Sequence, residues 1–193
     1  MTVLDRDWFA RDATIVAPEL LNKVLRVDSP TGPVAGRIVE TEAYMPDDPA
    51  SHTFNGPSNR NRVMFGPPAH LYVYLSYGIH SCANVVTGPP GSGQAVLLRA
   101  VTPLDGLDVM RARRNRRDPE LANGPGKLCQ ALGIDLDDNG LDLLGNGRVT
   151  IIDDEVSSPP NPVVGPRVGI SKAVDRPWRF RVPTPRSREV SAF

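Results

Sequence analysis

The sequence has few of the residues on which metal and disulfide chemistry depend. Its 193 residues include three histidines and two cysteines, Cys82 and Cys129. Neither a Cys-x-x-Cys pair nor a His-Glu-x-x-His helix occurs, so the ligand spacing is poor for zinc, and Asp47, Asp48 and His52 form only a weak candidate cation site. The cysteines are far apart in sequence, so we interpret them as free buried thiols, with a disulfide as the alternative. We therefore predict no metal and no cofactor.

Long apolar runs are also missing, and we predict no leader segment. No run approaches the roughly 20 residues that a membrane-spanning helix needs, and residues 1–11 lack the apolar centre of a signal peptide. The hydrophobic content of 40% and the charged content of 23% are typical of a soluble globular protein. We expect a single domain over residues 1–193, with the tail after about residue 182 unassigned, and an intracellular location in the cytoplasm or nucleoid, or the nucleus of a eukaryote.

Lysine is scarce, and arginine supplies most of the positive charge. The chain has 3 lysines against 19 arginines, and its formal net charge is zero. A neutral balance argues against nucleic-acid binding, but five arginines fall within residues 111–117 and seven cations within residues 167–188. A neutral protein with segregated charge can still present one positive face, and the arginine fork binds phosphate at two points.

Two segments predict a sheet with a hairpin. Residues 36–44 predict a strand in which Glu40, Glu42 and Tyr44 point to one face. Residues 71–76 and 82–86 predict two paired strands around a tip that carries Tyr77. An aromatic residue at a hairpin tip has no core to enter, which favours a function for Tyr77.

Further elements are predicted on either side of this region. Apolar residues of segment 13–21 follow helical spacing, and residues 95–101 form a buried strand in which Arg99 must face a carboxylate. Thr102 and Pro103 predict the start of a helix that runs towards residue 113. Residues 124–133 predict another helix, whose glycine-rich start beside Lys127 is a candidate phosphate site.

The carboxylates and aromatic residues allow two interpretations. Either Glu40 or Glu42 pairs with Arg99 as a buried ion pair, and the other acts as a general base on water. The tyrosines of segment 71–76 could simply cover a sheet face, whereas Tyr44 and His52 lie in a polar context that a core would not choose. Flat rings near a carboxylate suit a flat and even cationic ligand such as a nucleobase.

The sequence resembles the alkyladenine (3-methyladenine) DNA glycosylase family over most of its length, roughly residues 10–181. The resemblance is carried by ordered matches along the chain: Glu40-Thr41-Glu42-Ala43-Tyr44, Asp48-Pro49-Ala50-Ser51-His52, Arg60-Asn61-Arg62-Val63-Met64-Phe65-Gly66, Leu71-Tyr72-Val73-Tyr74, Tyr77-Gly78, Asn84, Ala95-Val96-Leu97-Leu98-Arg99-Ala100, Asn123-Gly124-Pro125-Gly126-Lys127-Leu128-Cys129-Gln130 and Arg167-Val168-Gly169-Ile170.

The resemblance implies a catalytic water held by protein groups. The family's general base maps onto Glu42, and Arg99 maps onto the arginine that holds the water and the glutamate. The main-chain carbonyl of Val168 is a further contact of this water. No lysine is placed for a Schiff base, so we expect no strand cleavage.

The resemblance also implies how the substrate is bound. Tyr44, His52 and Tyr74 map onto rings that sandwich a flipped base, and Asn84 maps onto the residue that clashes with the amino group of guanine. Tyr77 maps onto the residue that fills the vacated space in the duplex.

Other DNA contacts are predicted at the edge of the site. Ile79 is a second candidate for intercalation. Arg60, Arg62 and Lys127 are candidates for contacts with the DNA backbone.

The function implied is that of a monofunctional base-excision DNA glycosylase, a monomer that flips alkylated purines out of double-stranded DNA and hydrolyses their N-glycosidic bond; deaminated purines stay open as substrates. The implied fold is α+β, with a curved, mainly antiparallel sheet, surrounding helices and a protruding β-hairpin, resembling the C-terminal domain of methionyl-tRNA formyltransferase. Two alternatives remain: a DNA-damage binding protein that does not cut, and a metal-dependent nuclease that uses Glu40 and Glu42.

Overall fold

A computed structural model of the protein describes residues 2–145 and 147–183. The described strands are β1 (Thr2–Val3), β2 (Val24–Val27), β3 (Val34–Tyr44), β4 (Leu71–Ser76), β5 (His80–Thr87), β6 (Gln94–Asp105), β7 (Val149–Asp153), β8 (Val163–Gly165) and β9 (Arg179–Arg181). The described α-helices are α1 (Arg6–Phe9), α2 (Ala13–Glu19), α3 (Leu107–Arg114) and α4 (Pro125–Leu132). Pro185, Arg186 and Arg188 of the tail lie outside the described residues.

The strands form one curled antiparallel sheet. Its order is β1-β7-β2-β3-β6-β5-β4, and β9 pairs with both β3 and β8. This agrees with the predicted α+β class and its curved, mainly antiparallel sheet. The likeness to the formyltransferase domain and the single domain over residues 1–193 stay predictions.

The helices cover one face of this sheet and enclose the core. Helix α2 packs on β3 and β6, and α4 packs on β5 and β6. Strand β3 turns Ile38, Thr41 and Ala43 towards the helices, and the Thr41 hydroxyl donates a hydrogen bond to the Ala17 carbonyl of α2 at 2.8 Å. Because side chains alternate along a strand, Glu42 and Tyr44 lie on the opposite face.

The predicted helix start at Thr102 is wrong. Strand β6 continues to Asp105, and its last residues pair with β3, with Pro103 opposite Gly36 and Asp105 opposite Ala35. The register shifts between these two pairs, a place where a proline without an N–H is tolerated in a sheet. Helix α3 begins after Gly106, whose φ of 69° suits glycine.

The predicted protruding hairpin is confirmed. Strands β4 and β5 pair from Leu71 opposite Val85 to Ser76 opposite His80, so the return strand begins two residues earlier than predicted. Tyr77 occupies the left-handed region with a φ of 51°, and the residue is 89% exposed. Ile79, also at the tip, is 72% exposed.

The two cysteines are free thiols, as predicted. Cys82 lies on β5 and Cys129 on α4, and both are buried. Burial raises the pKa of both thiols, which keeps them protonated at neutral pH. Among the described residues no helix is long and apolar enough to cross a membrane.

Candidate active site

A cavity of about 370 Å³ lies beside the hairpin on the sheet face that the helices leave open. Segments distant in sequence converge on it, and its walls include many of the predicted site residues: Tyr44, His52, Arg60, Tyr74, Tyr77, Asn84, Arg99 and Val168. Glu42 lies behind this wall. The predicted DNA contacts Arg62, Ile79 and Lys127 lie outside the cavity.

The Glu42 carboxylate is fully buried and is held by two hydrogen-bond donors and one ion pair. The Val168 amide donates to Oε1 at 2.8 Å, and the Tyr44 hydroxyl donates to Oε2 at 3.0 Å. The Arg99 guanidinium lies 3.3 Å from Oε2. Burial raises the pKa of Glu42, and Arg99, the Val168 amide and the Tyr44 hydroxyl each oppose that rise by stabilising the ionised form. A carboxylate with a raised pKa suits a general base.

Arg99 contacts both candidate carboxylates, because a bulge redirects its side chain. Thr41 pairs with Leu98 and Glu40 with Ala100, so Arg99 has no partner in the β3–β6 register. Its Nε donates to Glu40 at 2.9 Å while its other end reaches Glu42. The prediction that Arg99 faces a carboxylate is confirmed. The sequence left open whether the partner is Glu40 or Glu42, and in the structure Arg99 contacts both.

Glu40 has a second cation that Glu42 does not contact. Arg179 of β9 donates to Glu40 Oε1 at 2.6 Å. Glu40 therefore forms ion pairs with Arg99 and Arg179, whereas Glu42 forms an ion pair with Arg99.

His52, Tyr72 and Tyr74 form one aromatic wall of the cavity. The His52 and Tyr74 rings meet edge to face, with centroids 4.5 Å apart, and Tyr72 stacks on Tyr74 at 5.7 Å. His52 Nδ1 lies 3.0 Å from the Tyr72 hydroxyl. Burial and the nearby charge of Arg60 lower the pKa of His52, so its ring is neutral at neutral pH. Because His52 and Tyr74 touch, a flat ligand has room against the two rings but not between them.

Tyr72 belongs to this wall although the predicted site left it out. Its side chain is fully buried, and burial raises its pKa to about 12. The signal was present in the sequence, because Tyr72 precedes Tyr74 by two residues and so shares its face of β4.

Asn84 is anchored in the cavity wall. It lies on β5 opposite Tyr72 of β4 and Leu97 of β6. Its side-chain amide donates to the Tyr72 carbonyl at 3.1 Å, and the residue is buried. A side chain held in this way cannot easily turn aside for a larger ligand.

The candidate backbone contacts have different surroundings. Arg60 lies in the cavity wall, with its guanidinium 5.6 Å from the centre of the Tyr74 ring. Arg62 is exposed at the start of a 3-10 turn over Arg62–Phe65. Lys127, exposed in the first turn of α4, donates to the Asn123 side chain at 2.8 Å.

The arginine run of residues 111–117 carries less free charge than its sequence indicates. Arg111 pairs with both Asp108 and Asp118, and Arg117 pairs with Glu120. The run therefore resembles a solvated helix end.

The hairpin and α4 are in direct contact beside the cavity. Residue 126 is a glycine, and a Cβ built there would lie 3.0 Å from the His80 Cβ at the start of β5. This close approach brings the exposed tip and Lys127 to neighbouring positions on the surface.

Comparisons with known proteins indicate a single family. A family model described as methylpurine-DNA glycosylase (MPG) matches residues 7–186. A relative from Burkholderia lata is 51% identical over 185 residues, which cover 94% of this chain and 88% of the relative. Relatives from Rhodopseudomonas palustris and Methanoculleus marisnigri are each 51% identical, over 92% and 90% of this chain and 84% and 91% of their own length. All three are assigned, by name, as 3-methyladenine DNA glycosylases.

The chain belongs to the methylpurine-DNA glycosylase family. It is therefore a DNA repair enzyme, a DNA glycosylase that hydrolyses N-glycosidic bonds.

In this glycosylase the residues of the candidate cation site have other partners. Asp48 pairs with Arg167, Asp47 pairs with Arg176, and His52 contacts the Tyr72 hydroxyl. Among the described residues no group of three His, Cys, Asp or Glu side chains could hold a metal ion. The weak candidate cation site at Asp47, Asp48 and His52 is therefore not formed.

The nuclease alternative is likewise unsupported by the geometry. A metal bridging Glu40 and Glu42 would have to occupy the position of the Arg99 guanidinium, which already contacts both carboxylates.

Proposed function

We propose that this glycosylase flips an alkylated purine out of double-stranded DNA into the cavity and removes it by hydrolysis. The proposal is carried by one observation: the buried Glu42 carboxylate, held by Arg99 and the Val168 amide, lies directly behind an aromatic cavity. Enzymes that act chemically on a base take it out of the stack into such a pocket.

The proposed reaction is metal-free hydrolysis at the sugar. Glu42 takes a proton from a water molecule as the water oxygen attacks C1′, and the bonding electrons of the N-glycosidic bond leave with the purine. The products are the free base and an abasic site in an uncut strand. Arg99 and the Val168 carbonyl hold the water, and the reaction resembles glycoside hydrolysis, in which a carboxylate orients water at an oxocarbenium-like centre.

In the proposed binding mode the base lies between two aromatic surfaces of the cavity. The base lies against His52 and Tyr74 on one side, with Tyr44 on the other. Alkylation gives the purine a positive charge, which aromatic faces attract and which also weakens the glycosidic bond. Asn84 excludes guanine by a clash with its amino group. We leave deaminated purines as a further substrate class for the same cavity.

The proposed contact with the duplex is made by the hairpin. Tyr77 and Ile79, both exposed at the tip, enter the space that the flipped base leaves. Apolar wedges inserted between base steps are a known means of holding distorted DNA. Arg60, Arg62 and Lys127 contact phosphates, and the enzyme acts as a monomer.

The experiment that tests this function is release of a single labelled base. A duplex with one 3-methyladenine, 1,N6-ethenoadenine or hypoxanthine is incubated with the enzyme in EDTA, and free base and strand breaks are measured separately. We expect release of base from wild type and an abasic strand that breaks only after alkali treatment.

Two variants sharpen this experiment. Glu42→Gln should abolish release and keep lesion binding, whereas Glu40→Gln, a matched carboxylate on the same strand face, should lose much less. If wild type releases no base and both it and Glu42→Gln still prefer the lesion, the protein is a damage binder. Breaks that form without alkali and stop in EDTA would instead identify a nuclease.

A further inference from the structure

Asp48 and Arg167 form an ion pair that is completely removed from solvent. Both side chains are 0% exposed, and the two guanidinium nitrogens of Arg167 donate to the two carboxylate oxygens of Asp48. The residues are 119 positions apart in sequence. The pair therefore ties the segment around Arg167 to the loop that follows β3.

Arg167 also contacts β3 directly. Its guanidinium donates to the Ala43 carbonyl at 3.0 Å and lies 4.6 Å from the centre of the Tyr44 ring. Ala43 is the residue between Glu42 and Tyr44. The next residue after Arg167 is Val168, whose amide donates to Glu42. One side chain thus fixes the strand and the segment that meet at the carboxylate.

The neighbouring pair provides a contrast. Asp47 and Arg176 also form an ion pair, but their side chains are 69% and 28% exposed. Arg176, like Arg167, lies over the Trp178 ring. The two pairs share a loop and an aromatic partner, and only the buried pair reaches β3.

Fold stability alone is a weak reason for the buried pair. Removing two charges from water is costly, and apolar residues of similar volume often serve a core equally well. Arg167 Nε moreover has no hydrogen-bond acceptor among the described residues.

We propose that Asp48 and Arg167 are positioning residues, which hold the Val168 amide on Glu42 and the Tyr44 ring at the cavity wall. This inference rests on the proposed function, in which Glu42 acts as a base. The charged and polar groups that face Glu42 are Tyr44 from β3, Arg99 from β6, the Val168 amide and, at longer range, Arg179 from β9. The Asp48–Arg167 pair positions two of these four groups, Tyr44 and the Val168 amide.

The first test compares pH profiles of single-turnover base release. Arg167→Lys cannot form the two-point pair, so the Val168 amide should leave Glu42, and the acid limb should move to higher pH. We expect a shift of about half a pH unit, which is a loss of about threefold below the limb in addition to any loss on the high-pH plateau that displacement of the Tyr44 ring causes. Arg176→Lys, the matched control on the exposed pair, should keep the wild-type profile.

Val168→Pro provides the direct comparison, because proline has no amide hydrogen to donate. It should shift the acid limb as Arg167→Lys does, and adding Arg167→Lys to it should produce no further shift. An acid limb that stays in place in Val168→Pro, or in Arg167→Lys, would overturn the proposal.

A second variant covers the case in which Arg167→Lys does not fold. Asp48→Leu with Arg167→Met replaces the pair by apolar side chains and leaves no buried charge unpaired. If this variant folds and keeps the wild-type acid limb, the pair is merely structural and the proposal fails.

The inference and the proposed function can fail separately. NMR titration of the Glu42 carboxyl reports the loss of the amide without any base release. A shifted titration in an enzyme that releases no base would refute the proposed reaction and support the positioning role. Base release by wild type, together with an unchanged Glu42 titration in Val168→Pro, would support the proposed reaction and refute the positioning role.

Discussion

The Arg99 guanidinium lies 3.3 Å from the buried Glu42 carboxylate, which the Val168 amide and the Tyr44 hydroxyl also contact. Arg99 is the strongest influence that opposes the rise in the Glu42 pKa caused by burial. Arg99 therefore favours the ionised form of Glu42 against the effect of burial.

Replacing Arg99 should change the pH dependence of base release. In the proposed reaction Glu42 must be deprotonated, so we expect wild-type activity to fall as the pH falls through the raised pKa of Glu42. Arg99→Gln raises that pKa further, moves the acid limb to higher pH and lowers the neutral rate by about 100-fold. Single-turnover rates across the pH range measure both effects. A loss of rate without movement of the limb would separate Arg99 from the ionisation of Glu42.

Tyr77 should contribute to lesion-specific binding rather than to general DNA affinity. Stacking an aromatic side chain on a base contributes about 1–3 kcal/mol, so Tyr77→Ala should weaken binding to a lesion duplex about tenfold or more in a Glu42→Gln background. Tyr77→Phe is the matched control and should bind like the parent, since the ring fills the gap. Equal weakening on lesion and undamaged duplexes would make Tyr77 a general contact.

Asn84 should limit the release of normal guanine. Its amide is fixed to the Tyr72 carbonyl at 3.1 Å, so Asn84→Ala opens space in the cavity wall. We expect guanine release from undamaged DNA to rise about tenfold relative to 3-methyladenine release, for a discrimination of about 1.4 kcal/mol. The cost in stability should be about 1 kcal/mol, as for one buried hydrogen bond, and thermal unfolding measures it. An unchanged ratio of the two bases would remove Asn84 from guanine exclusion.

The surface cations should differ in their effect on salt dependence. Lys127 is exposed next to the hairpin, whereas Arg111 is paired with Asp108 and Asp118. Lys127→Ala should lower the slope of log affinity against log salt by about one, as expected when one phosphate contact is lost. Arg111→Ala should leave that slope unchanged. The opposite result would place the DNA path over the arginine run.

The elements with strong local signals could be predicted from the sequence. The alternation around Glu40 and Glu42, the apolar pattern of the hairpin and the glycine–proline start of α4 are local features, and the structure contains all three elements. The helix predicted at Thr102 failed because sheet pairing with β3 prevailed over a local capping pattern. Short strands such as β8 have little signal of their own; β8 pairs with β9, which is held in turn by the distant β3.

The site was harder to predict because it depends on contacts between distant segments. The bulge that turns Arg99 towards both glutamates arises from the β3–β6 register, which the sequence does not contain locally. The Asp48–Arg167 pair joins two loops. In the sequence, the one indication of a role was that both residues lie in stretches that match the glycosylase family. Tyr72 could have been included, since it shares a strand face with Tyr74.

The strand that carries Glu42 and the segment that carries Val168 should unfold at different temperatures. Residues 40–42 of β3 have a hydrogen-bonded strand on each side, β6 and β9, whereas Val168 lies in a stretch between β8 and β9 without regular structure. Amide protons of the strand should exchange only on global unfolding, and those around Val168 through smaller local openings. Warming would then release the donor while the carboxylate stays in place, so heat inactivation should precede heat denaturation.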